Sequence, residues 1–318
     1  MPAAARVRPL DLFTAQEWEQ VRHRSTLMGL GLILHVWGVI ALAMALSIWS
    51  IWFLPISVLI IGGRQLGLAI IMHDAAHGCL STNGRLNDFL GQWLGAAPIG
   101  VNLRDYRNYH LQHHKYVQQP EDPDLGLSAP FPITRASLRR KIIRDLTGQT
   151  FYKQRLNQFQ NALGLGIRPG PMADLRKQGA RRAVVPFVIT NAILFSVLAV
   201  LGHWWAYFAL WLLPMATWNM LVIRIRNIGE HAVVPSNDDP MRHARTTRAS
   251  FIERLLIAPY WVNYHCEHHM FMHVPCYRLG RAHRILERKG LTEKMEISSG
   301  YLDVLRQATR QPAAQMPA

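Results

Sequence analysis

Four apolar runs, each long enough for a helix to cross a bilayer, constrain this chain more than any other feature. The first, Leu27–Ser47, reads LMGLGLILHVWGVIALAMALS and is interrupted only by His35. A hydrocarbon core about 30 Å thick takes about 20 residues of helix, so this run predicts a spanning helix. Phe53–Met72 is the second run, with Arg64 and Gln65 as its strongly polar residues; the aromatic link Trp49–Trp52 makes the two a hairpin. Ala183–Leu201 and Ala206–Ile223, joined by the turn GHWW, form a second hairpin. Phe89–Val101 is too short to span and carries Gly91, Gly95 and Pro98, which predicts a re-entrant or interfacial piece.

The expected architecture is an all-α integral membrane protein, with four transmembrane helices in two hairpins and a cytosolic helical cap. Its segments are 1–26 (cytosolic N-terminal segment), 27–72 (first hairpin), 73–182 (cytosolic segment), 183–223 (second hairpin), 224–310 (second cytosolic segment) and 311–318, a polar tail with too little apolar content to pack.

Charge orients this arrangement. Of 35 Lys and Arg, 4 precede the first span, 16 lie between His73 and Arg182, 14 follow Ile223 and one, Arg64, lies inside a span; neither hairpin turn carries any. The positive-inside rule therefore predicts a multi-pass protein with both termini and the long middle segment cytoplasmic. Topology accounts for the net charge of +15, so no nucleic-acid partner is expected. Three cysteines, with no C-x-x-C pair, imply neither a disulfide scaffold nor a cysteine-type zinc site. Arg139, Arg140, Lys141 and Arg144 alternate with Leu138, Ile142, Ile143 and Leu146, the pattern of a basic amphipathic helix on a membrane surface, or else of a solvated helix packed on the cytosolic domain.

Eight of the 15 histidines fall in three boxes: His73-Asp-Ala-Ala-His77, His110-Leu-Gln-His113-His114 and His265-Cys-Glu-His268-His269. Separations of three and four place imidazoles on one helix face, where neutral rings make good metal ligands. All three boxes fall outside the spans on the side expected to be cytosolic. Eight imidazoles exceed the four positions of a tetrahedral zinc site, which implies two ions. No Glu is followed by His three residues later and no H-E-x-x-H occurs, so neither a carboxylate-bridged bundle nor a zincin fits. A histidine-rich pair of irons for oxygen activation is left. A metal transporter, the rival from another class, places polar ligands at mid-membrane instead.

HDAAH, HLQHH and HCEHH, set between and after two hydrophobic hairpins, resemble the integral-membrane fatty acid desaturase family, whose members include lipid hydroxylases and carotenoid-modifying enzymes; the likeness runs from about Leu27 to His273. It implies a non-haem di-iron centre that uses O2 and two electrons to attack an unactivated C–H bond. His73, His77, His110, His113, His114, His265, His268 and His269 are its iron ligands by this resemblance. Arg226-Asn227-Ile-Gly-Glu-His231 resembles an added element of the stearoyl-CoA desaturase branch, implying His231 as a direct ligand and Asn227 as a water-mediated or outer one. One departure is that the first-box histidines have three residues between them, where that branch has four. The substrate implied is an acyl lipid entering from the membrane, which is desaturated; the alternative is a lipid or carotenoid hydroxylated or ketolated on the same scaffold. No H-P-G-G haem motif occurs, so a separate electron donor of ferredoxin, rubredoxin or cytochrome b5 type is expected.

Asp74, Glu230 and Glu267 adjoin ligands and are candidates for orienting them. Glu121, Asp122 and Asp124 resemble the family's acidic element and are candidates for holding ligands or capping the next segment. Arg64 is expected to pair within the protein or to line a passage. Arg278, Arg281, Arg284 and Arg288 share a helix face and form a candidate docking stripe for an acidic donor. His35, His203 and His273 read as bystanders.

Overall fold

A computed structural model describes residues 6–165, 173–234 and 239–310, so the expected tail at 311–318 lies outside the described residues. The chain falls into two units. One joins Ser25–Arg107 to Ile143–Val222; the other joins Met1–Arg24, Asn108–Ile142 and Ile223–Ala318. The architecture is all-α as expected: among the described residues the only strands are the parallel pair Thr246–Thr247 and Ile297–Ser298. Among the described residues four helices are long and apolar enough to cross a membrane.

In the first unit, the Thr26–Trp49 helix starts at Ser25, whose hydroxyl accepts from the Met28 amide. It is apolar all round, burying Leu32, Val36 and Ile40 while Leu27, Leu34 and Leu42 stay exposed, as suits a helix between protein and lipid. Its partner, Leu54–Ala76, begins with Pro55 in the first turn and runs past the apolar stretch, so that His73 lies inside the helix and His77 at its C-cap. Arg107 holds that end, donating to the carbonyls of Ala75 and Ala76 at 2.9 Å while pairing with Asp88. Phe89–Val101 does not span: the Gly84–Leu90 helix passes into a π turn, Gly91–Ala96, and a 3₁₀ turn, Ala97–Ile99, that stops at Gly100 with φ +79°. A Cβ on Gly91 would come within 2.2 Å of the Ala75 Cβ, so only glycine lets this piece lie against the histidine-bearing turn.

The third long helix, Ala173–Val200, begins ten residues before its apolar run. Pro186 lies inside it, and Thr190 donates to the Pro186 carbonyl at 2.9 Å. The last apolar segment, Trp204–His231, is interrupted by a π turn at Phe208–Leu212 and a break at Thr217 (φ −121°, ψ −87°) before the Trp218–His231 helix. Buried amides answer the irregular backbone, since a bare polar group at membrane depth costs several kcal/mol. Gln65 donates to the Trp211 carbonyl at 2.8 Å, and Asn219 to that of Gly62 at 3.0 Å. Arg64 is buried beside them at 4% exposure, within the protein as expected of a charge at that depth.

The second unit bears on two expectations. Leu138 and Ile142 pack against Ile228, Ala232, Val304 and Ala308, so half of the apolar face of the basic helix Arg135–Leu146 is a protein contact, as in the second of the two readings; Ile143 and Leu146 remain exposed. The arginine stripe on Cys276–Arg288 is likewise divided. Arg281 hydrogen-bonds Gln20 on the Ala15–Arg22 helix, and both Arg281 and Arg278 are half-buried; Arg284 and Arg288 are exposed. A capping box of Thr14 and Glu17 starts that N-terminal helix, and Phe13 and Trp18 anchor it on Phe271 at ring distances of 5.1 and 5.6 Å.

Candidate metal centre

The second and third boxes lie on helices that bring them together within the second unit. Leu103–Tyr116 carries His110, His113 and His114; the short His265–Met270 helix carries His265, His268 and His269. At about 100° per residue, positions i and i+4 point nearly the same way while a neighbour diverges. Each box accordingly divides: His110 and His114 join His268, whereas His265 and His269 join His113 and, from the end of Trp218–His231, His231.

In the second of these groups the Nε2 atoms form a closed ring. His231 to His113 is 3.1 Å, His113 to His269 3.3 Å, His269 to His265 3.1 Å and His265 to His231 2.9 Å. The other group has His114 Nε2 at 3.0 Å from His110 Nε2 and 2.9 Å from His268 Nε2. His73 and His77 belong to the first unit, one turn apart at a ring distance of 4.9 Å. Asn227 is half-buried one turn before His231 on the same helix.

The far side of each ring fixes which nitrogen faces inward. His113 Nδ1 donates to Asp122 at 2.7 Å, and that carboxylate also accepts from the amides of Gln118 and Asp124, so its orientation is set from three sides. His231 Nδ1 donates to the His243 carbonyl at 3.2 Å; His265 Nδ1 lies 3.4 Å from Glu230, which Arg226 pairs. With the proton on Nδ1, His113 and His231 each present an Nε2 lone pair inward. Burial and neighbouring imidazoles hold the His269 pKa well below the usual histidine range, so that ring too is neutral at pH 7.

Four imidazole nitrogens converging at 2.9–3.3 Å, two of them with their protons committed to Nδ1, have more close contacts than protons to bridge them, and the arrangement makes physical sense around a cation. Two nitrogens at right angles about an ion at about 2.1 Å are about 3.0 Å apart, against about 3.4 Å in a tetrahedron. The ring fits the former, leaving other positions open, and an all-imidazole donor set suits iron, copper or zinc. Among the described residues no cysteine is a member of either group.

The acidic neighbours behave unequally. Asp122 orients a box histidine and Glu230 stands beside one, as anticipated, and His73 Nδ1 lies 3.7 Å from Asp74. Glu267, fully buried, instead joins Thr246 to His283 Nδ1 (2.5 Å) and so braces the third-box helix from behind. Glu121 is exposed, while Asp124 accepts from Tyr109. His35, His203 and His273 stand outside both groups. Sequence reasoning missed Arg245, which is 1% exposed and donates to the carbonyls of Ala232 and Val233 at 2.8 and 2.9 Å, capping the helix that ends in His231. It also missed His243, 3% exposed, whose ring lies 5.5 Å from that of His269. Neither has a companion at helical spacing, so no periodic signal marked them.

Residues 49–300 match the sequence model of a family described as Fatty acid desaturase. Dihydrorhizobitoxine desaturase of Bradyrhizobium elkanii is 26% identical over 261 residues, covering 80% of this chain and 74% of that protein. A beta-carotene ketolase of Paracoccus sp. is 27% identical over 254 residues, 76% of this chain and 88% of the ketolase. The sn-1 oleoyl-lipid 12-desaturase of Picosynechococcus sp. is 21% identical over 255 residues, 74% and 70% of the two chains.

Proposed function

This chain belongs to the fatty acid desaturase family, and from that membership we propose that it is an O2-dependent di-iron oxidoreductase that desaturates an acyl chain drawn from the membrane. The observation that carries the reading is the closed ring of four buried Nε2 atoms, 2.9–3.3 Å apart, beside a second histidine group of the same make. In this reading His113, His231, His265 and His269 hold one iron, and His110, His114 and His268 belong to the other; His73 and His77 are iron ligands by the family resemblance, and Asn227 acts through a water. When bound, the iron pair supplies the oxidising power that removes hydrogen from an unactivated C–H bond.

The chain's own part is to hold and to exclude. Asp122 and the His243 carbonyl take the Nδ1 protons of His113 and His231, which fixes their tautomers and strengthens them as donors. Arg107 and Arg245 cap the helices that end at His77 and His231, so both ligand-bearing termini are set before any metal arrives. Eight of the nine proposed histidine ligands are buried, which keeps bulk water from the reacting atoms. No nucleophile or general base is required of the protein.

The active site is read as cytoplasmic, from the one-sided distribution of Lys and Arg, with a separate acidic one-electron carrier as donor. The match to a beta-carotene ketolase, which takes in 88% of that enzyme, supports a second reading on the same scaffold: ketolation or hydroxylation of a lipid or carotenoid. Expression in a bacterial host supplied with acyl lipids or with carotenoid, followed by mass spectrometry, separates them. Desaturation removes two hydrogens from an acyl product; hydroxylation adds one oxygen, and ketolation replaces two hydrogens by one oxygen. Unaltered acyl chains alongside oxygenated carotenoid would overturn the desaturase assignment.

A further inference from the structure

His243 is a buried polar side chain without a protein partner. It is 3% exposed, and neither Nδ1 nor Nε2 has a hydrogen-bond partner among the described residues. Buried imidazoles are ordinarily bonded, because a bare buried donor or acceptor costs about 1–3 kcal/mol. A ring that merely filled space would be replaced at no cost by an apolar one, so its two open nitrogens point to something bound.

What lies beside it identifies that something. The ring meets His269 nearly edge to face, at 5.5 Å and 76°. Its own backbone carbonyl takes the Nδ1 proton of His231, and its amide donates to the Asp239 carbonyl at 3.0 Å. Two residues on, Arg245 ties the same segment to the end of the Trp218–His231 helix. The ring is thus fixed next to two members of the four-histidine group by a braced backbone.

We propose that His243 is a tenth histidine of the metal centre, with its ring in the coordination sphere of the ion held by His113, His231, His265 and His269, bonded to that ion or to a water the ion carries. This rests on the di-iron reading above and adds to it a residue outside the three boxes and outside the Asn227–His231 element. It also gives the 239–247 loop a function: one residue of it reaches the ion from two directions, through the backbone at His231 and through the ring.

The two contacts are separable, because a side-chain substitution leaves the carbonyl in place. The test uses full-length protein in detergent, loaded anaerobically with ⁵⁷Fe(II), as wild type, His243→Phe and His243→Gln. Phe keeps the packing without a nitrogen; Gln restores a polar atom. Iron affinity by chelator competition and the Mössbauer spectrum are read together, neither depending on turnover. A direct bond predicts that H243F weakens one of the two irons by about 10–100-fold. A bond across water predicts that both irons stay and one quadrupole doublet shifts in H243F, returning toward wild type in H243Q. Wild-type affinity and an unchanged spectrum in H243F would overturn the assignment. Wild-type protein that takes up no iron would instead overturn the proposed function, so the two failures are distinguishable.

Discussion

Asp122→Asn is the perturbation that tests how the second-box helix serves the metal. The carboxylate is 6% exposed and accepts three bonds, from His113 Nδ1 at 2.7 Å and from the amides of Gln118 and Asp124 at 2.9 and 2.8 Å. Asn has the same shape but turns one acceptor into a donor, so in either orientation an N–H faces an N–H. If the Asn oxygen keeps His113, the Gln118 amide is left unpaired; if it turns to Gln118, His113 loses its charged partner and its fixed tautomer. The first outcome costs about 1–3 kcal/mol of stability as a buried donor goes unmet. The second costs about 10–100-fold in metal affinity, which is about 1.4–2.7 kcal/mol. Chelator competition with Fe(II), paired with thermal unfolding of the detergent-solubilised protein, reads both. The expected result is a loss in one or both, borne by one iron of the pair. D122N matching wild type in iron affinity and melting temperature would refute the claim that this carboxylate orients His113.

Two further outcomes follow from exposure and charge. In a background without the three buried cysteines, Leu201→Cys should react with an impermeant thiol reagent added outside and Arg85→Cys should not, since both positions are exposed and only the first, just past the end of the Ala173–Val200 helix, adjoins a hairpin turn; Gly202 is avoided because its φ of +80° disfavours any side chain. The reverse labelling would place the histidines on the other face. Turnover with an acidic donor should slow as ionic strength rises from 0.01 to 0.1 M, where the Debye length falls from about 30 to about 10 Å. Reversing Arg284 and Arg288 to Glu should raise the donor concentration for half-maximal rate by about tenfold. Indifference to both would place docking elsewhere.

What the sequence disclosed was whatever is local in the chain. Apolar runs marked the four long helices because hydropathy is a property of consecutive residues, and the histidine boxes stood out because ligands on one helix recur at three and four. Where the long helices end was less legible: the second continues to Ala76 and the last to His231, carrying first-box and added histidines on the final turn after the apolar residues stop. Contacts across the sequence left no mark. Asp122 reaches back nine residues to His113, but Glu267 turns away from the box it sits in, toward His283 and Thr246. Leu138 lay in a pattern that suits a membrane surface or a protein face, and the packing of Ile228, Ala232 and Val304 puts it against protein. Arg245 and His243 work from a loop, where no period exists to expose them.

The central claim is that the histidines form two separate iron sites, and metal analysis of the double substitution His265→Ala/His269→Ala tests it most directly. These two rings supply half of the four-nitrogen ring and none of the His110, His114 and His268 group. The account predicts about two irons per chain in the wild type and about one in the double variant, with the protein still folded in the membrane. Two irons retained in the variant would contradict it, as would a wild type purified with zinc in place of iron after growth in iron-replete medium.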